Sequence, residues 1–214
     1  MTACFYRSYW SIVGEDVSKI ILGFFNKDIQ LRAINHTNLV LIPKKKSPST
    51  PKDFRPINLC NVVYKLISKV IANRLKGVLP ELIDESQSAF VKGRLIFDNI
   101  VVAHETIHAM KNKRRGKTGW MATKLDMSKA YDRIERDYLE GIMKKMGFHE
   151  RWIFLIMACV KIMSYSIVIN GKQHGQIIPT KGLRQGNPLS PYLFLLCAEG
   201  LVSLIKQASR IGTL

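Results

Sequence analysis

The 214-residue sequence predicts an α+β fold, and three observations carry that expectation. Apolar residues recur at three- and four-residue steps in several long segments, as helices with one buried stripe require. Between them lie a few short β-type runs, one of which ends in Asn170-Gly171, a pair suited to a type I′ hairpin turn. Strands and helices do not alternate strictly, which points away from a doubly wound parallel sheet.

Taken in chain order, Phe5, Trp10, Val13, Val17, Ile20, Ile21, Phe24 and Phe25 mark a first helix over 5–25. A short strand follows over 38–42, closed by Pro43. Val63, Leu66, Ile67, Val70, Ile71 and Leu75 give a second helix, whose other face carries Lys65, Lys69, Arg74 and Lys76. Asp98 is a candidate N-cap for a third helix through Met110, and 120–125 reads as a strand ending at Asp126. Ser128 is a candidate cap for a helix that Gly147 stops, and another helix fits 150–163. A hairpin over 165–180 and a long apolar helix from about Ser190 complete the pattern.

Thirty-three Lys and Arg against sixteen Asp and Glu leave the chain at +17. Self-repulsion on that scale opposes compactness and points to a polyanionic partner. Residues 41–117 carry sixteen basic against six acidic side chains, so the middle third is the electropositive one. A hydrophobic content of 47% is that of an ordinary globular chain, not a disordered or fibrous one. The longest uncharged apolar runs, such as 152–160, fall short of the ~18–20 residues of a membrane span, so a membrane is not the expected polyanion. Arg7, Glu15 and Asp16 break up any secretory h-region. Cys4, Cys60, Cys159 and Cys197 form no C-x-x-C pair and read as reduced thiols of an intracellular protein, in nucleus or cytoplasm.

Two segments carry chemistry. In Lys124-Leu125-Asp126-Met127-Ser128-Lys129-Ala130-Tyr131-Asp132 an acid sits where a strand meets a helix, a position from which a carboxylate can ligate a hard divalent ion or simply cap the helix. Asp132 reads as a helix-surface acid. In Gly182-Leu183-Arg184-Gln185-Gly186-Asn187-Pro188-Leu189-Ser190-Pro191 a polar loop enters an apolar helix, and Gly186 permits close backbone approach to a ligand. His104 and His108 stand at i, i+4 spacing, but no nearby Cys or His completes a zinc set, so they read as packing or surface residues.

In this order and at this distance, the two segments resemble motifs A and B of reverse transcriptases, closest to LINE-type non-LTR retrotransposon polymerases of plants. Two further blocks agree. Leu41-Ile42-Pro43-Lys44 with Asp53-Phe54-Arg55-Pro56-Ile57-Asn58-Leu59 resembles the first finger motif, and Gln87-Ser88-Ala89-Phe90-Val91-Lys92-Gly93-Arg94 with Asp98-Asn99 resembles the second. The resemblance implies a right-hand polymerase of α+β class: 1–118 mainly fingers, 119–214 a partial palm. Its implied activity is RNA-directed DNA synthesis from a primer, with RNA template, DNA primer and dNTPs as partners.

By that resemblance Asp126 is the catalytic acid, holding two Mg²⁺ ions, with Mn²⁺ as a possible substitute. Tyr131 resembles the steric gate against ribonucleotides, although its spacing also suits a core residue. Arg55, Lys44 and Arg94 match basic finger positions that meet the triphosphate or the template backbone. Gln185 and Gly186 match the motif B pair beside the nascent base pair, and Arg184, Lys65 and Lys69 are expected on nucleic-acid phosphates. The sequence departs from the family at Asn187, usually Asp, and at Arg136, often aromatic. Motif C, an aromatic, any residue and two aspartates, is expected after motif B, yet no adjacent Asp pair occurs in the 214 residues. The chain as given therefore reads as truncated and inactive. The alternative is a non-catalytic RNA-binding module that keeps the basic middle third.

Overall fold

The computed structural model describes residues 2–26, 31–113, 116 and 119–213. The order of elements is α1 (Ala3–Ser8), α2 (Trp10–Phe25), β1 (His36–Pro43), β2 (Phe54–Leu59), α3 (Val62–Leu82), α4 (Ile96–Asn112), α5 (Arg136–Lys145), α6 (Glu150–Lys161), β3 (Ser164–Ile169), β4 (Lys172–Ile177) and α7 (Ser190–Arg210). Short 3-10 turns occupy Pro51–Asp53 and Ala130–Arg133.

The sheet runs β2-β1-β3-β4. β1 is antiparallel to β2 and parallel to β3, while β3 and β4 form an antiparallel hairpin. Asn170 and Gly171 take φ of 51° and 78° at its turn, the left-handed pair that a type I′ turn demands. The sequence gives no clear signal for β2, because Pro56 lies in the middle of it. The strand survives as a sheet edge, where a missing N–H costs no ladder bond.

The core gathers where four helices and the loop before α7 meet. α3 contributes Ile67, Ile71, Leu75 and Leu79, α5 contributes Leu139 and Met143, α6 contributes Ile156 and Cys159, and α7 contributes Leu193 and Leu196, all buried. Each set recurs at three- or four-residue steps, so one stripe per helix faces inward. By length and composition α7 could cross a membrane, but its N-terminal half is spent on this core. α4 stands apart. None of its residues is buried, and Phe97, Ile100 and Val101 face solvent.

Three local expectations need correction. The helix over 5–25 is two helices, since Tyr9 leaves the helical region (φ −112°, ψ 26°). The strand over 120–125 does not form: 120–127 carries no regular structure, and Trp120, Met121, Leu125 and Met127 are exposed. A strand needs a neighbour to complete its ladder, and among the described residues none runs beside this segment. No helix starts at Ser128 either, because Lys129 turns left-handed (φ 53°, ψ 43°) and α5 begins only at Arg136. Asp98 supports α4 from inside its first turn, its carboxylate accepting the Leu95 N–H at 3.3 Å.

Candidate active site

A cleft of about 650 Å³ opens between the β1–β2 hairpin, the 129–132 turn and the loop before α7. Lys44, Arg55, Tyr131 and Gln185, expected at the nucleotide from three separate motifs, all line it. The hairpin side is held by Asp53. Its carboxylate accepts the Ser49 and Thr50 N–H groups at 3.0 and 2.9 Å and pairs with Lys45 at 3.0 Å. The Asp53 carbonyl takes the Lys44 N–H at 2.8 Å. The hydrogen bond from Lys45, and then those from the Ser49 and Thr50 amides, hold the Asp53 carboxyl at about 2 against an ordinary 3.8. A lowered folded value means that this support is complete above the ordinary value and is lost as pH falls through the folded one. The loop that presents Lys44 should therefore stay ordered at pH 4 and loosen only near pH 2. The Asp53 carboxyl ¹³C titration and the Lys44 amide shift measure this; a midpoint near 4 would contradict it.

The opposite wall is built by backbone bonds between the two chemical segments. The Leu183 N–H donates to the Tyr131 carbonyl and the Gly182 N–H to the Ile134 carbonyl, both at 2.8 Å. Asn58 of β2 donates through Nδ2 to the Gln185 carbonyl at 3.3 Å, tying the sheet edge to the same loop. The Tyr131 ring lies half-buried with its centroid 5.4 Å from that of Phe194, and burial raises its hydroxyl pKa. Tyr131 thus packs on α7 and also lines the cleft.

Asp126 is not in the cleft. It sits exposed on the irregular 120–127 segment, while the acidic residue among those lining the cleft is Asp132. Asp132, expected as a helix-surface or salt-bridge acid, instead lies in the short 3-10 turn that follows the left-handed Lys129 and lines the cleft. Among the described residues no group of three His, Cys, Asp or Glu side chains gathers to hold a metal ion. Asp126 and Asp132 do not by themselves make the several-carboxylate cage that two divalent ions require.

Two arginines expected on phosphate are committed to protein. Arg94 lies off the cleft, and its guanidinium donates to the carbonyls of Pro80 (3.3 Å), Ile83 (3.0 Å), Gln87 (2.7 Å) and Asp84. These groups close the C-terminal end of α3, where a helix leaves carbonyls unmet. Lys cannot reproduce that fork. Arg94→Lys should cost about 1–3 kcal/mol in urea unfolding and leave nucleotide affinity of the folded protein unchanged.

Arg184 is buried at 3% exposure. It donates to the Asn35 carbonyl at 2.8 Å and the Cys60 thiol at 3.8 Å, between the rings of Tyr64 (5.0 Å) and Tyr165 (5.2 Å). The departure at Asn187 has a local reason. Its Nδ2 donates to the Tyr64 hydroxyl at 2.9 Å, which in turn donates to the Cys159 carbonyl at 3.1 Å. An ionised Asp there would have no proton to give that hydroxyl. Arg136 is likewise buried, with Nε and Nη2 unpartnered.

Lys65 and Lys69 project from α3 into a second cleft of about 810 Å³, shared with His36, Asn38, Asn58 and Gln173. The Oδ1 atoms of Asn38 and Asn58 are buried there without donors. His36 bridges β1 to β3 through Ser164 Oγ (2.9 Å) and Ser166 Oγ (3.2 Å). His104 and His108 are exposed on α4. Cys60, Cys159 and Cys197 are buried, and burial pushes the latter two thiols up to about 12.

A basic hairpin, an aromatic turn and a Gln-Gly loop around one cleft make a domain suited to phosphate-bearing ligands. The chain belongs to the reverse transcriptase family: the model of the reverse transcriptase (RNA-dependent DNA polymerase) domain matches residues 42–213. It is 30% identical over 97% of its length to the transposon TX1 uncharacterized 149 kDa protein of Xenopus laevis, covering 16% of that protein. It is 31% identical over 96% of its length to the Pol polyprotein of the type-1 retrotransposable element R2 of Nasonia vitripennis, covering 20% of it. A 47-residue stretch is 53% identical to the uncharacterized mitochondrial protein AtMg01250 of Arabidopsis thaliana. The chain thus spans about a fifth or less of these two transposon relatives. Divalent metal use is general in the family, and the four strands and seven helices among the described residues agree with its mixed α and β content.

Proposed function

We propose that the chain supplies the fingers (1–118) and part of the palm (119–214) of an RNA-directed DNA polymerase from a non-LTR retrotransposon. A dNTP occupies the cleft of Lys44, Arg55, Tyr131 and Gln185, with Gly186 beside the nascent pair. That one cleft is lined from three separate motifs is the observation that carries this reading. Lys44 and Arg55 grip the triphosphate as charge-assisted donors, and Tyr131, braced on Phe194, stands against the sugar. RNA template follows the second cleft, where Lys65 and Lys69 meet phosphates. In the family the acid matching Asp126 would hold a divalent ion that activates the primer hydroxyl, but here, among the described residues, no carboxylate cage gathers around it. In this chain Asp126 lies off the cleft, and extension is expected to be nil, whereas binding is retained.

The test is incubation of the purified chain with primed RNA, dNTPs and Mg²⁺, scored separately for binding and extension. Binding should fall steeply with salt, by close to one unit of log–log slope per phosphate neutralised. Extension abolished by Asp126→Asn would overturn the inactivity; absence of salt-sensitive binding would overturn the assignment of both clefts. The exposed position of Asp126 favours a second reading, a non-catalytic RNA-binding module, in which Asp126→Asn leaves every measured property unchanged.

A further inference from the structure

Arg184 is a buried cation that the binding scheme does not use. Among the described residues no carboxylate pairs with it; two ring faces, the Tyr165 hydroxyl, one carbonyl and one thiol compensate its charge. Burying a guanidinium on such terms is costly against an apolar side chain of the same volume. What it gains is geometric. Its partners come from four places: Asn35 just before β1, Cys60 between β2 and α3, Tyr64 on α3 and Tyr165 on β3. Its own carbonyl accepts Ser190 Oγ at 2.6 Å and the Asn187 N–H at 3.4 Å, which closes the turn over Gln185 and Gly186. The residue immediately before Gln185 is therefore fixed by both its side chain and its backbone, while Gln185 itself is exposed in the cleft.

We propose that Arg184 is a positioning residue, whose guanidinium, clamped between Tyr64 and Tyr165 and bonded to the Asn35 carbonyl, sets the Gln185-Gly186 turn against the bound nucleotide. Its effect on nucleotide affinity rests on the proposed function; its effect on the turn does not. Lysine is no substitute, because one ammonium cannot lie flat between two rings while reaching a carbonyl.

The test compares the full chain with Arg184→Lys, Arg184→Met, Tyr165→Phe and Tyr165→Leu. Amide hydrogen exchange over 182–190 is read against exchange in α3 and α6. Arg184→Lys, Arg184→Met and Tyr165→Leu should speed exchange at Leu183, Asn187, Leu189 and Ser190 at least tenfold, with α3 and α6 unchanged. Tyr165→Phe, which keeps the ring but loses the hydroxyl's bond to Arg184, should speed exchange less than Tyr165→Leu. Exchange that stays at the parent rate, or rises equally throughout the chain, would overturn the proposal. A fluorescent dATP analogue with Mg²⁺ gives the second readout. Arg184→Met and Gln185→Ala should each weaken its binding about tenfold, and the double variant should lose no more than the worse single one. Additive losses would mean that Arg184 does not act through Gln185. If the parent binds no nucleotide at all, the proposed function falls and exchange alone decides the positioning role.

Discussion

Arg55→Ala should weaken binding of a deoxynucleoside triphosphate about 10–100-fold and leave the fold intact. The side chain is exposed on the edge strand β2, opposite Ile42 in the ladder, so its removal opens no cavity. Stability should move by less than about 0.5 kcal/mol. A hydrogen bond to a charged group is worth about 1.5–3 kcal/mol, and at ~1.4 kcal/mol per tenfold that sets the range given. Arg55→Lys should recover only part of the loss, because an ammonium meets phosphate as a point and the guanidinium as a fork. The control is Lys65→Ala. Lys65 lines the other cleft, so its loss should leave nucleotide affinity alone, weaken primed-RNA binding and lower the salt slope by about one. Fluorescence titration with each ligand separates the two. Equal effects of both variants on both ligands would mean that the clefts are one diffuse basic surface.

What could be read in advance depended on how local the determining physics is. The Asn170-Gly171 turn, α3, α6 and α7 were legible because a turn pair or a helical stripe is encoded within a few residues. β2 was hidden by Pro56, whose tolerance depends on being an edge, a property of the sheet and not of the segment. The run 120–125 has strand composition, yet a strand exists only through its neighbours. Lys44, Arg55, Tyr131 and Gln185 could each be picked out from a short motif, but only the fold brings them around one cleft. Arg94 and Arg184 were misread for a different reason. Sequence shows a charge but not its burial, and both guanidiniums turned inward to satisfy carbonyls. One cue was available for Arg94: a 21-residue helix must have its last carbonyls met by something that follows. Asp132 had no such cue, since the left-handed Lys129 that precedes its turn is not signalled in the sequence.

The second large effect is expected at Gly182, and a glycine four residues away isolates its cause. Gly182 (φ +88°) and Gly186 (φ +82°) both occupy the left-handed region, where a side chain costs about 1 kcal/mol. They differ in surroundings. A Cβ on Gly186 meets nothing within 4 Å, whereas one on Gly182 would stand 3.0 Å from the Asp132 carbonyl oxygen and 3.1 Å from its Cα. That backbone cannot retreat freely, because the Gly182 to Ile134 and Leu183 to Tyr131 hydrogen bonds pin it to the same loop. Gly182→Ala should therefore lower the unfolding free energy by about 2–4 kcal/mol, through backbone strain plus a strained or broken pair of bonds. Gly186→Ala should lower it by only about 1 kcal/mol, yet still reduce primed-RNA or nucleotide binding, because the new methyl occupies space left open for the ligand. Urea denaturation of the two variants, with binding measured on folded protein, checks both halves. Equal destabilisation would show that conformation alone matters at both sites, and that the 182–134 contact does not weld the two chemical segments into one cleft.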